Sequence, residues 1–527
     1  MSNPGDLIAS LNRRELFIGA AAASALAVGG SLVSKRANAA PAGTLRIALT
    51  SLTDQSVDPF FQGGGLARPI GYSLYNALFR FDDKGQLEFD LAEGMDVSSD
   101  RKTVTFTIRG DAVFWDGSPV TAEDVAWSWE AFSTRNPPQP QVPGLKRQIE
   151  SVVATDARTV VMKLFNPTPM RTAEFTIWWN VSSKAHFTKV GPDAFRTQPM
   201  GTGPFKLVRN QIGAFIEMEA NERHYRKDRI SNVKTVRMNV VPEVTTRMAQ
   251  LRSGEVDIID GITGVQGMQI AADPNLKIFR APETAIMKVN YFDVQRGIKP
   301  WNDVRFREAL TISVNQDEIV RGLLRQGTPS PNAHVFPASK GFDANLFAVR
   351  KHDPERARRL VREAGAEGFE FDLMAYPSGS YANLPEIAQA VAGYWGGIGL
   401  KPKIVMLEAS TYISRLVNRQ LTGAGIQSIA FENDLRTTAG WLITGAQWGS
   451  TDNVPELNAM HAAMLAEVDT DKQMAIAQRM HKFCYDNFLF GTGPWSNSQW
   501  AATRKVAEWI RPAGDPYATR LESVKLT

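Results

Sequence analysis

The spacing of apolar residues changes its period within one short stretch of the chain and predicts a strand followed by a helix. In TVTFTIR, residues 103–109, apolar side chains occupy every second position, which is the period of a strand. The turn DGSP follows at residues 116–119. Thr121 then stands where a helix N-cap is expected, with Asp124 three residues later, in the arrangement of a capping box. The pattern predicts a helix over residues 122–134.

The same two periods recur along the chain and predict a mixed α/β fold. Strands and helices do not alternate strictly, so a barrel of alternating strands and helices is not expected. The strand-like stretches are residues 44–49, 103–109, 151–164, 215–219, 233–240, 369–375 and 401–406. The helix-like stretches are residues 122–134, 244–253, 304–314, 316–324, 353–364, 384–398, 410–419 and 471–486.

The first 39 residues differ from the rest and predict an export signal. Arg13 and Arg14 precede a short apolar run, residues 16–33, whose alanine and glycine content makes it a poor transmembrane helix. Ala37 and Ala39 form an A-x-A cleavage site, which predicts a mature chain that starts at the next residue. The paired arginines resemble a twin-arginine export signal. An ordinary signal peptide or an uncleaved anchor is the alternative.

Length and composition are typical of a soluble globular protein with more than one domain. A chain of 527 residues exceeds what one hydrophobic core usually supports, so two or three domains are expected. The net charge is +4 and the charges are interspersed, so no nucleic-acid surface is expected. Cys484 is the only cysteine, which excludes an intrachain disulfide, a cysteine-based metal site and a lipid anchor after the signal.

The sequence contains none of the common catalytic or cofactor motifs. Its six histidines form no H-E-x-x-H pair, and G-x-S-x-G is absent. The glycine-rich stretches are not followed by Lys-Ser or Lys-Thr, as a phosphate loop requires. We therefore expect no cofactor, no metal and no enzymatic activity. A pair of carboxylates acting as in a glycosidase is the open alternative, because its test is a distance in space.

Aromatic residues are the remaining signal for a binding site. The chain has twelve tryptophans, several of them in polar, loop-like settings. The segment FENDLRTTAGWLITGAQW runs from Phe431 to Trp448 and mixes aromatic, charged and amide side chains with glycine. Ligand pockets combine apolar walls with a few polar anchors in this way. We predict that Phe431, Trp441 and Trp448 line a ligand site; packing in a core is the alternative for each aromatic side chain.

Several blocks of sequence, taken together, carry a family resemblance. The stretch LAEGMDVSSDRKTVTFTIRGDAVFWDGSPVTAEDVAWSWE, residues 91–130, has an acidic-Gly start, a strand ending in Ile-Arg, an aromatic-x-Asp-Gly turn and a Thr-Ala-x-Asp-Val helix start. LYNALFRFD precedes it, and GTGPF, ANERHYR, RMAQLRSGEVDII and VRFREALTISVNQDEIV follow. This combination resembles the family 5 extracellular solute-binding proteins, which are the oligopeptide, dipeptide and nickel binding proteins of ABC importers. Trp115 stands where relatives often have histidine.

The resemblance implies an α/β, periplasmic binding protein-like fold, in which two α/β lobes joined by a two-crossing hinge close on a ligand, with an extra N-terminal subdomain. Lobe I is expected to comprise residues 40–83, 187–284 and 488–527, and the inserted subdomain residues 84–186. Lobe II is expected over residues 285–487, with the crossings near Ala285 and Asn487. The stretch RAPETA, residues 280–285, is the candidate crossing in the sequence itself.

The resemblance also implies a function and its partners. The chain is expected to be the soluble periplasmic binding component of an ABC importer, a monomer that delivers a peptide or other small polar solute to a permease and ATPase complex. The twin-arginine translocase is its expected partner during export. A chaperone-like protein that holds peptides and a periplasmic hydrolase are the alternatives.

The same resemblance suggests which charged residues bind the ligand. Asp434 and Arg436 fall roughly where peptide-binding relatives carry an anchoring aspartate, and we predict that they and Asn433 contact the ligand. Relatives commonly have Asp-Pro-Asp at this place, whereas this chain has Asn433-Asp434-Leu435. The ligand can therefore also be an opine, a glycoside or a nickel chelate, and Asp434 and Arg436 can instead form a salt bridge.

The signal supports a first prediction. We expect the double substitution Arg13→Lys and Arg14→Lys to leave the precursor in the cytoplasm, because the twin-arginine route reads both guanidinium groups. Cell fractionation and immunoblotting measure this. Unchanged periplasmic accumulation in a strain that lacks the twin-arginine translocase would contradict it.

Overall fold

The computed structural model has the mixed α/β architecture that the sequence predicts. It describes residues 41–52, 55–60, 68–82, 87–134, 142–146, 148–165, 167, 179–294, 296–377, 383–430, 434–440, 454–467, 469–510 and 520–527. The predicted signal residues Arg13, Arg14, Ala37 and Ala39 lie outside these ranges and stay predictions.

Eighteen strands are present in the described residues, and most belong to two sheets. In chain order they are β1 (Thr44–Leu49), β2 (Phe79–Phe81), β3 (Leu87–Phe89), β4 (Ala92–Val97), β5 (Thr103–Ile108), β6 (Ile149–Ala154), β7 (Thr159–Leu164), β8 (Phe205–Gln211), β9 (Phe215–Ala220), β10 (Thr235–Val240), β11 (Ile258–Ile259), β12 (Leu276–Tyr291), β13 (Glu370–Ala375), β14 (Lys401–Met406), β15 (Ala424–Ala430), β16 (Phe490–Thr503), β17 (Val506–Glu508) and β18 (Lys525–Leu526).

The α-helices of the described residues are short to medium in length and flank the sheets. In chain order they are α1 (Arg68–Leu74), α2 (Ala122–Thr134), α3 (Val142–Lys146), α4 (Lys184–Phe195), α5 (Val244–Ser253), α6 (Gly264–Ala271), α7 (Val304–Ile312), α8 (Gln316–Glu318), α9 (Pro354–Glu363), α10 (Leu384–Gly397), α11 (Ala409–Val417), α12 (Leu435–Thr438), α13 (Pro455–Ala466) and α14 (Thr470–Asp486). A π-helical turn, Ile319–Leu324, continues α8.

The strand, turn and helix predicted around Thr121 are confirmed. Strand β5 alternates between buried and half-buried positions, as its period requires. Thr121 and Asp124 form the predicted capping box: the Thr121 amide donates to Asp124 Oδ2 at 2.9 Å, and the Asp124 amide donates to Thr121 Oγ1 at 3.3 Å. The other carboxylate oxygen of Asp124 accepts from the amide of Lys184, the first residue of α4. The helix start therefore also fixes the position of a second helix.

The stretch predicted as one strand over residues 151–164 is a hairpin of β6 and β7 instead. Asp156 breaks it, because its Oδ1 accepts from the amides of Arg158 (2.8 Å) and Thr159 (3.0 Å) and thereby closes a turn. Apolar alternation continues on both sides of the turn, so the sequence pattern alone did not reveal the break.

One ten-stranded sheet runs through the molecule in the order β14-β13-β15-β12-β16-β11-β1-β10-β9-β8. The antiparallel strands β12 and β16 lie in its centre. The last part of β16 pairs with β11 on one side and with the first part of β12 on the other, whereas residues 285–291 of β12 pair with β15. Their mutual register shifts between Ala281 and Ala285 on β12, opposite Ser498 and Ser496 on β16. Each long strand therefore belongs to both halves of the sheet.

Separate hydrophobic cores accompany the parts of the fold. The half of the ten-stranded sheet that contains β1 packs around Leu45, Met238 and Trp500. The half that contains β13 packs around Trp301, Phe371 and Trp395. A four-stranded antiparallel sheet, in the order β4-β5-β7-β6, has its own core together with α2. The proposed boundaries of the lobes and subdomain stay predictions.

A buried ion network connects distant parts of the chain. The guanidinium of Arg229 lies 3.4 Å from Asp90 Oδ2 and 3.0 Å from Glu522 Oε1, and all three side chains are almost fully buried. Asp90 also accepts from Tyr225 Oη at 2.9 Å and from Asn76 Nδ2 at 2.7 Å. Removing one partner of such a buried network strands a charge in the interior, which is strongly destabilising.

Four buried titratable side chains, one of them on β12, interact electrostatically. They are Lys288 on β12, His334 in the loop before α9, and His481 and Cys484 on α14, each at most 1% exposed. Burial lowers the pKa of Lys288 to about 7 and that of His481 to about 4, and it raises the pKa of the Cys484 thiol. Lys288 Nζ lies 4.6 Å from the ring centroid of Phe490, a cation–π contact.

The buried lysine makes stability depend on pH. The pKa of Lys288 is about 7 in the folded chain and 10.5 as an unperturbed lysine, so the unfolded state binds more protons between these values. Stability therefore rises with pH across that window. We expect the wild type to gain stability relative to Lys288→Met by roughly 1 kcal/mol per pH unit from about pH 7.5 to 8.5.

Thermal melts of both proteins across this pH range measure the gain, and other titrating groups cancel in the difference. A difference in melting temperature that stays constant with pH would show that Lys288 keeps an ordinary pKa.

Candidate functional site

The carboxyl ends of the parallel strands in both halves of the large sheet point at the crossing of β12 and β16. Strands β1, β10 and β11 are parallel, and β11 runs antiparallel to β16 from Ala502 towards Ala501, which leads to the crossing. In the other half β13, β14 and β15 are parallel, and β15 ends at Ala430 opposite Ala285. Ligands of open α/β sheets bind outside the carboxyl ends of the strands. The region outside these strand ends, at the crossing of β12 and β16, is therefore the candidate site, and it is called the crevice below.

In the half of the sheet that contains β1, called the first half, a buried polar network links the ends of the strands. Asp260 follows β11, and its Oδ1 accepts from the amide (2.7 Å) and hydroxyl (3.0 Å) of Thr50, which follows β1. Arg247 Nε lies 3.5 Å from the same carboxylate, and its Nη1 donates to the carbonyls of Val241 and Pro242. Burial raises the pKa of Asp260. These contacts hold three strand ends together, so the network acts as scaffold at the rim.

Buried aromatic and hydroxyl groups lie at or near the strand ends in the half of the sheet that contains β13. Tyr376 directly follows β13, and its ring lies 4.6 Å from that of Tyr412 on α11. The Tyr376 hydroxyl interacts with Ser428 of β15, and burial raises the pKa of Tyr376. Sequence reasoning did not single out these residues. The signal that could have found them is their position at or near the ends of consecutive parallel strands.

Close backbone packing against residues 327–328 fixes the position of Trp495 on β16. Thr328 and Trp495 form a bridge in which the Trp495 amide donates to the Thr328 carbonyl at 2.9 Å. The Trp495 indole donates to the Val335 carbonyl at 2.9 Å. Gly327 has a φ of +87°, and a Cβ there would lie 2.1 Å from the Trp495 carbonyl oxygen, so only glycine fits. The sequence GTGPW around Trp495 is typical of a loop, but in the structure Trp495 is a buried residue of β16.

Two of the predicted ligand residues, Asp434 and Arg436, are described, and they contact each other. Asp434 caps α12, and its Oδ1 accepts from the Arg436 amide at 2.8 Å and from Arg436 Nε at 2.9 Å. Its Oδ2 accepts from Nε and Nη2 of the same guanidinium. Both side chains are less than 20% exposed. The carboxylate is therefore already engaged by its own chain.

The remaining predicted ligand residues, Phe431, Asn433, Trp441 and Trp448, lie outside the described residues. The structure brings Asp434 and Arg436 together and tests ligand contact for none of the six. Their assignment to the ligand stays a prediction.

A separate groove of about 780 Å³ lies elsewhere, on the four-stranded sheet. Its walls come from α2, residues 151–157 and Lys184, and they carry Glu123, Trp127 and Glu130. Lys184 Nζ donates to Glu123 Oε1 at 2.7 Å across its rim. Because residues 121–184 form the whole groove, it is not part of the crevice at the crossing.

Proteins of known structure share the overall fold of this chain over 92% of its length. The periplasmic binding protein DppA from Helicobacter pylori, in complex with the peptide STSA, has a TM-score of 0.79 at 18% identity and covers 92% of this chain and 98% of its own. The binding protein AgaA from A. tumefacien R10, in complex with agropinic acid, has a TM-score of 0.79 at 21% identity and covers 92% and 99%. The expected periplasmic binding protein-like fold is confirmed.

Sequence comparison agrees with the fold. A probable peptide ABC transporter periplasmic-binding protein, y4tO of Sinorhizobium fredii, is 26% identical over 515 residues, which is 90% of this chain and 93% of that protein. In the part of the chain that the structure describes, no helix has the length and apolar character needed to cross a membrane. The family model for bacterial extracellular solute-binding proteins, family 5 Middle, matches residues 86–442. This match spans more than half of the chain, and the protein therefore belongs to the family 5 bacterial extracellular solute-binding proteins.

Proposed function

We propose that this protein is the periplasmic binding component of an ABC importer and that it captures a peptide or peptide-like solute between its two lobes. The observation that carries the proposal is the convergence of parallel strand ends from both halves on the crossing of β12 and β16. Family membership and the name of the S. fredii relative, which is a probable peptide ABC transporter protein, support it. The peptide bound to the H. pylori relative supports the ligand class.

The mechanism follows from two lobes joined by a pair of shared strands. A ligand can shift an open–closed equilibrium only by binding the closed form more tightly than the open one. A solute that touches the strand ends of both halves does this, because those contacts exist together only when the crevice is closed. The permease and ATPase complex then receives the closed form. This cycle contains no chemical step, so we propose a binding protein without enzymatic activity.

The proposal includes export and assembly. We propose that the twin-arginine translocase exports the precursor, on the evidence of Arg13, Arg14 and the cleavage site at Ala37 and Ala39. The mature chain then works as a soluble monomer in the periplasm, since one chain carries both halves of the crevice.

A non-peptide solute is the second candidate ligand, and one observation favours it. The carboxylate of Asp434 accepts hydrogen bonds from Arg436 through both of its oxygens, so it has little capacity left for a ligand ammonium group. A ligand without a free α-amino group does not need such an anchor. The structural relative AgaA is in complex with agropinic acid, which is not a peptide, and this supports the second candidate.

Identification of the natural solute tests the function. The mature protein is isolated from its own periplasm, and the small molecules released on denaturation are analysed by mass spectrometry. We expect one solute per chain, which on re-addition to the stripped protein raises its melting temperature in proportion to the logarithm of [L]/Kd. Turnover of a peptide or ester substrate, with no retained solute, would favour the hydrolase alternative.

Trp441→Ala tests the predicted ligand segment. If Trp441 stacks on the solute, Kd should rise about five- to a hundredfold, since the lost contact is worth roughly 1–3 kcal/mol. The melting temperature of the ligand-free protein should stay that of the wild type. Isothermal titration and thermal melts measure both quantities.

Trp127→Ala is the control for Trp441. Trp127 is half-buried against Phe60 and Phe187, away from the crossing, so its removal should leave Kd unchanged. A lower melting temperature of ligand-free Trp441→Ala with an unaltered Kd would instead assign Trp441 to the core.

Asp434→Asn distinguishes the two ligand classes. Asparagine caps helices as well as aspartate does, so α12 should keep its start. If Asp434 binds a ligand ammonium, the variant should lose about tenfold or more in affinity for a free peptide and nothing for its N-acetylated form. Equal affinities of wild type and variant for both forms would contradict an ammonium anchor and support the second candidate. Isothermal titration with the tetrapeptide STSA and its acetylated form measures the difference.

A further inference from the structure

Helix α6 of the first half lies against the π-helical turn of the half that contains β13, called the second half below. Ile270 of α6 packs in a core with Ala48 of β1, whereas Leu324, the last residue of the π-helical turn, packs in the core around Trp301. A Cβ added to Gly264 of α6 would lie 1.9 Å from the Leu324 carbonyl oxygen. The two halves therefore touch outside their shared strands.

The close approach at this point requires glycine for steric reasons alone. The φ of Gly264 does not lie in the left-handed region, so its backbone conformation suits any residue. Gly264 is the first residue of α6 and is buried, and the atom that a Cβ would meet belongs to the backbone. A backbone carbonyl cannot swing aside as a flexible side chain can, so a methyl group at this position needs the two elements to separate.

Residues 325–328 continue from this contact along β16 and cross a shift in its register. The shift lies at residues 496–498 of β16. On the second-half side of the shift, the Trp495 amide donates to the Thr328 carbonyl at 2.9 Å. On the first-half side, Gln499 Nε2 donates to Gln326 Oε1. Residues 324–328 are therefore attached on both sides of the place where the halves join.

Helix α6 also leaves room for the amide of Gln499. A Cβ added to Gly267 would lie 2.6 Å from Gln499 Oε1, and the Gln499 side chain is buried. Loss of a hydrogen-bond partner leaves a buried amide unsatisfied, which is costly. The Gln326–Gln499 hydrogen bond and the Gly264–Leu324 contact thus both join residues 324–328 to the first half.

The contact lies on the side of the sheet edge where the crevice is. Helix α6 begins shortly after the carboxyl end of β11, which ends at Ile259 and points at the crossing. A capping box fixes its start, with the Thr263 amide donating to Gln266 Oε1 at 2.8 Å and the Gln266 amide donating to Thr263 Oγ1 at 3.3 Å. Contacts between halves on the crevice side form on closure and separate on opening. The contact of Gly264 with Leu324 is therefore one of the closed orientation.

We propose that Gly264, Gln326 and Gln499 form a latch that holds the two halves in the closed orientation. Rotation at the register shift would carry Gln499 and α6 away from residues 324–328, while Thr328 stays bonded to Trp495. The latch stabilises the closed form without touching the solute, so a larger fraction of the protein is ready to bind. This rests on the proposed function, because closure matters to affinity only if the crevice binds a solute.

Distances between the halves test the latch directly in the full-length mature protein. Spin labels are attached at Val208→Cys on β8 and Met406→Cys on β14, two exposed positions on the outermost strands of the large sheet. Cys484 is the only native cysteine and is buried, so the labels go to the introduced positions. Pulsed electron double resonance then gives the fraction of molecules whose label separation matches that of this structure.

We expect Gly264→Ala to lower this fraction about tenfold, because the added methyl group overpacks the contact with Leu324 only in the closed orientation. Alanine is favourable in a helix, so α6 should keep its structure. Gln326→Leu, which removes only the hydrogen bond to Gln499, should lower the fraction less. Equal fractions in the wild type and Gly264→Ala would overturn the proposal, and so would a wild type that lacks this separation.

Gly203→Ala is the matched control. A Cβ added to Gly203 would lie 2.4 Å from the Ser73 carbonyl oxygen, and its neighbours Leu74 and Phe205 belong to one core of the first half. This variant should lower the melting temperature and leave the label separations unchanged. A loss of the closed separation as large as that in Gly264→Ala would trace the effect to general destabilisation and overturn the latch.

A binding measurement separates this proposal from the proposed function. The tetrapeptide STSA and agropinic acid serve as probes, and we expect the Kd of the probe that binds to rise about tenfold in Gly264→Ala and to stay unchanged in Gly203→Ala. An unchanged Kd in Gly264→Ala, with a lower melting temperature of the solute-free variant, would show that the contact is permanent and overturn the latch. If neither probe binds the wild type, that result counts against the proposed ligand classes, and the label separations without solute still decide the latch.

Discussion

Two antiparallel strands that belong to both halves of one sheet are the constraint on which the rest of this structure depends. Strands β12 and β16 have 16 and 14 residues, more than twice the length of most of their neighbours. Each is hydrogen-bonded along most of its length, and their register shifts twice, between Ala281 and Ala285 and between Ile286 and Lys288 of β12. Because these strands join the halves, the parallel strands on either side end towards the same crossing, and in the proposed closure the halves rotate at the bulged region.

Buried ion pairs make the half of the large sheet that contains β1 resistant to local rearrangement. The Asp90–Arg229–Glu522 network ties the first half to the C-terminal residues, and the Arg247–Asp260 pair ties strand ends at its rim. Such pairs add little net stability, but breaking them is costly, so they resist local rearrangement. In the proposed closure, the halves move as units about the crossing strands, and ligand contacts change their relative orientation.

Sequence periodicity predicted those elements whose signals are local. The capping box of Thr121 and Asp124, strand β5 and helix α2 follow from contacts three or four residues apart. The pairing of β12 with β15 and β16 joins residues about 130 to 230 positions apart, for which no local pattern exists, although RAPETA was recognisable as a candidate crossing. For the site, the sequence indicated a polar, aromatic segment and offered an Asp434–Arg436 salt bridge as the alternative to ligand contact. No local pattern indicated that the Thr438 hydroxyl contacts His481, 43 positions away.

The central claim is that a small solute at the crossing closes the two halves on each other. Small-angle X-ray scattering of the mature protein, stripped of solute and then titrated with the solute that co-purifies from its periplasm, tests this most directly. The account predicts that the radius of gyration falls as the solute binds and stops falling at one solute per chain. Stoichiometric binding with an unchanged radius of gyration would contradict it.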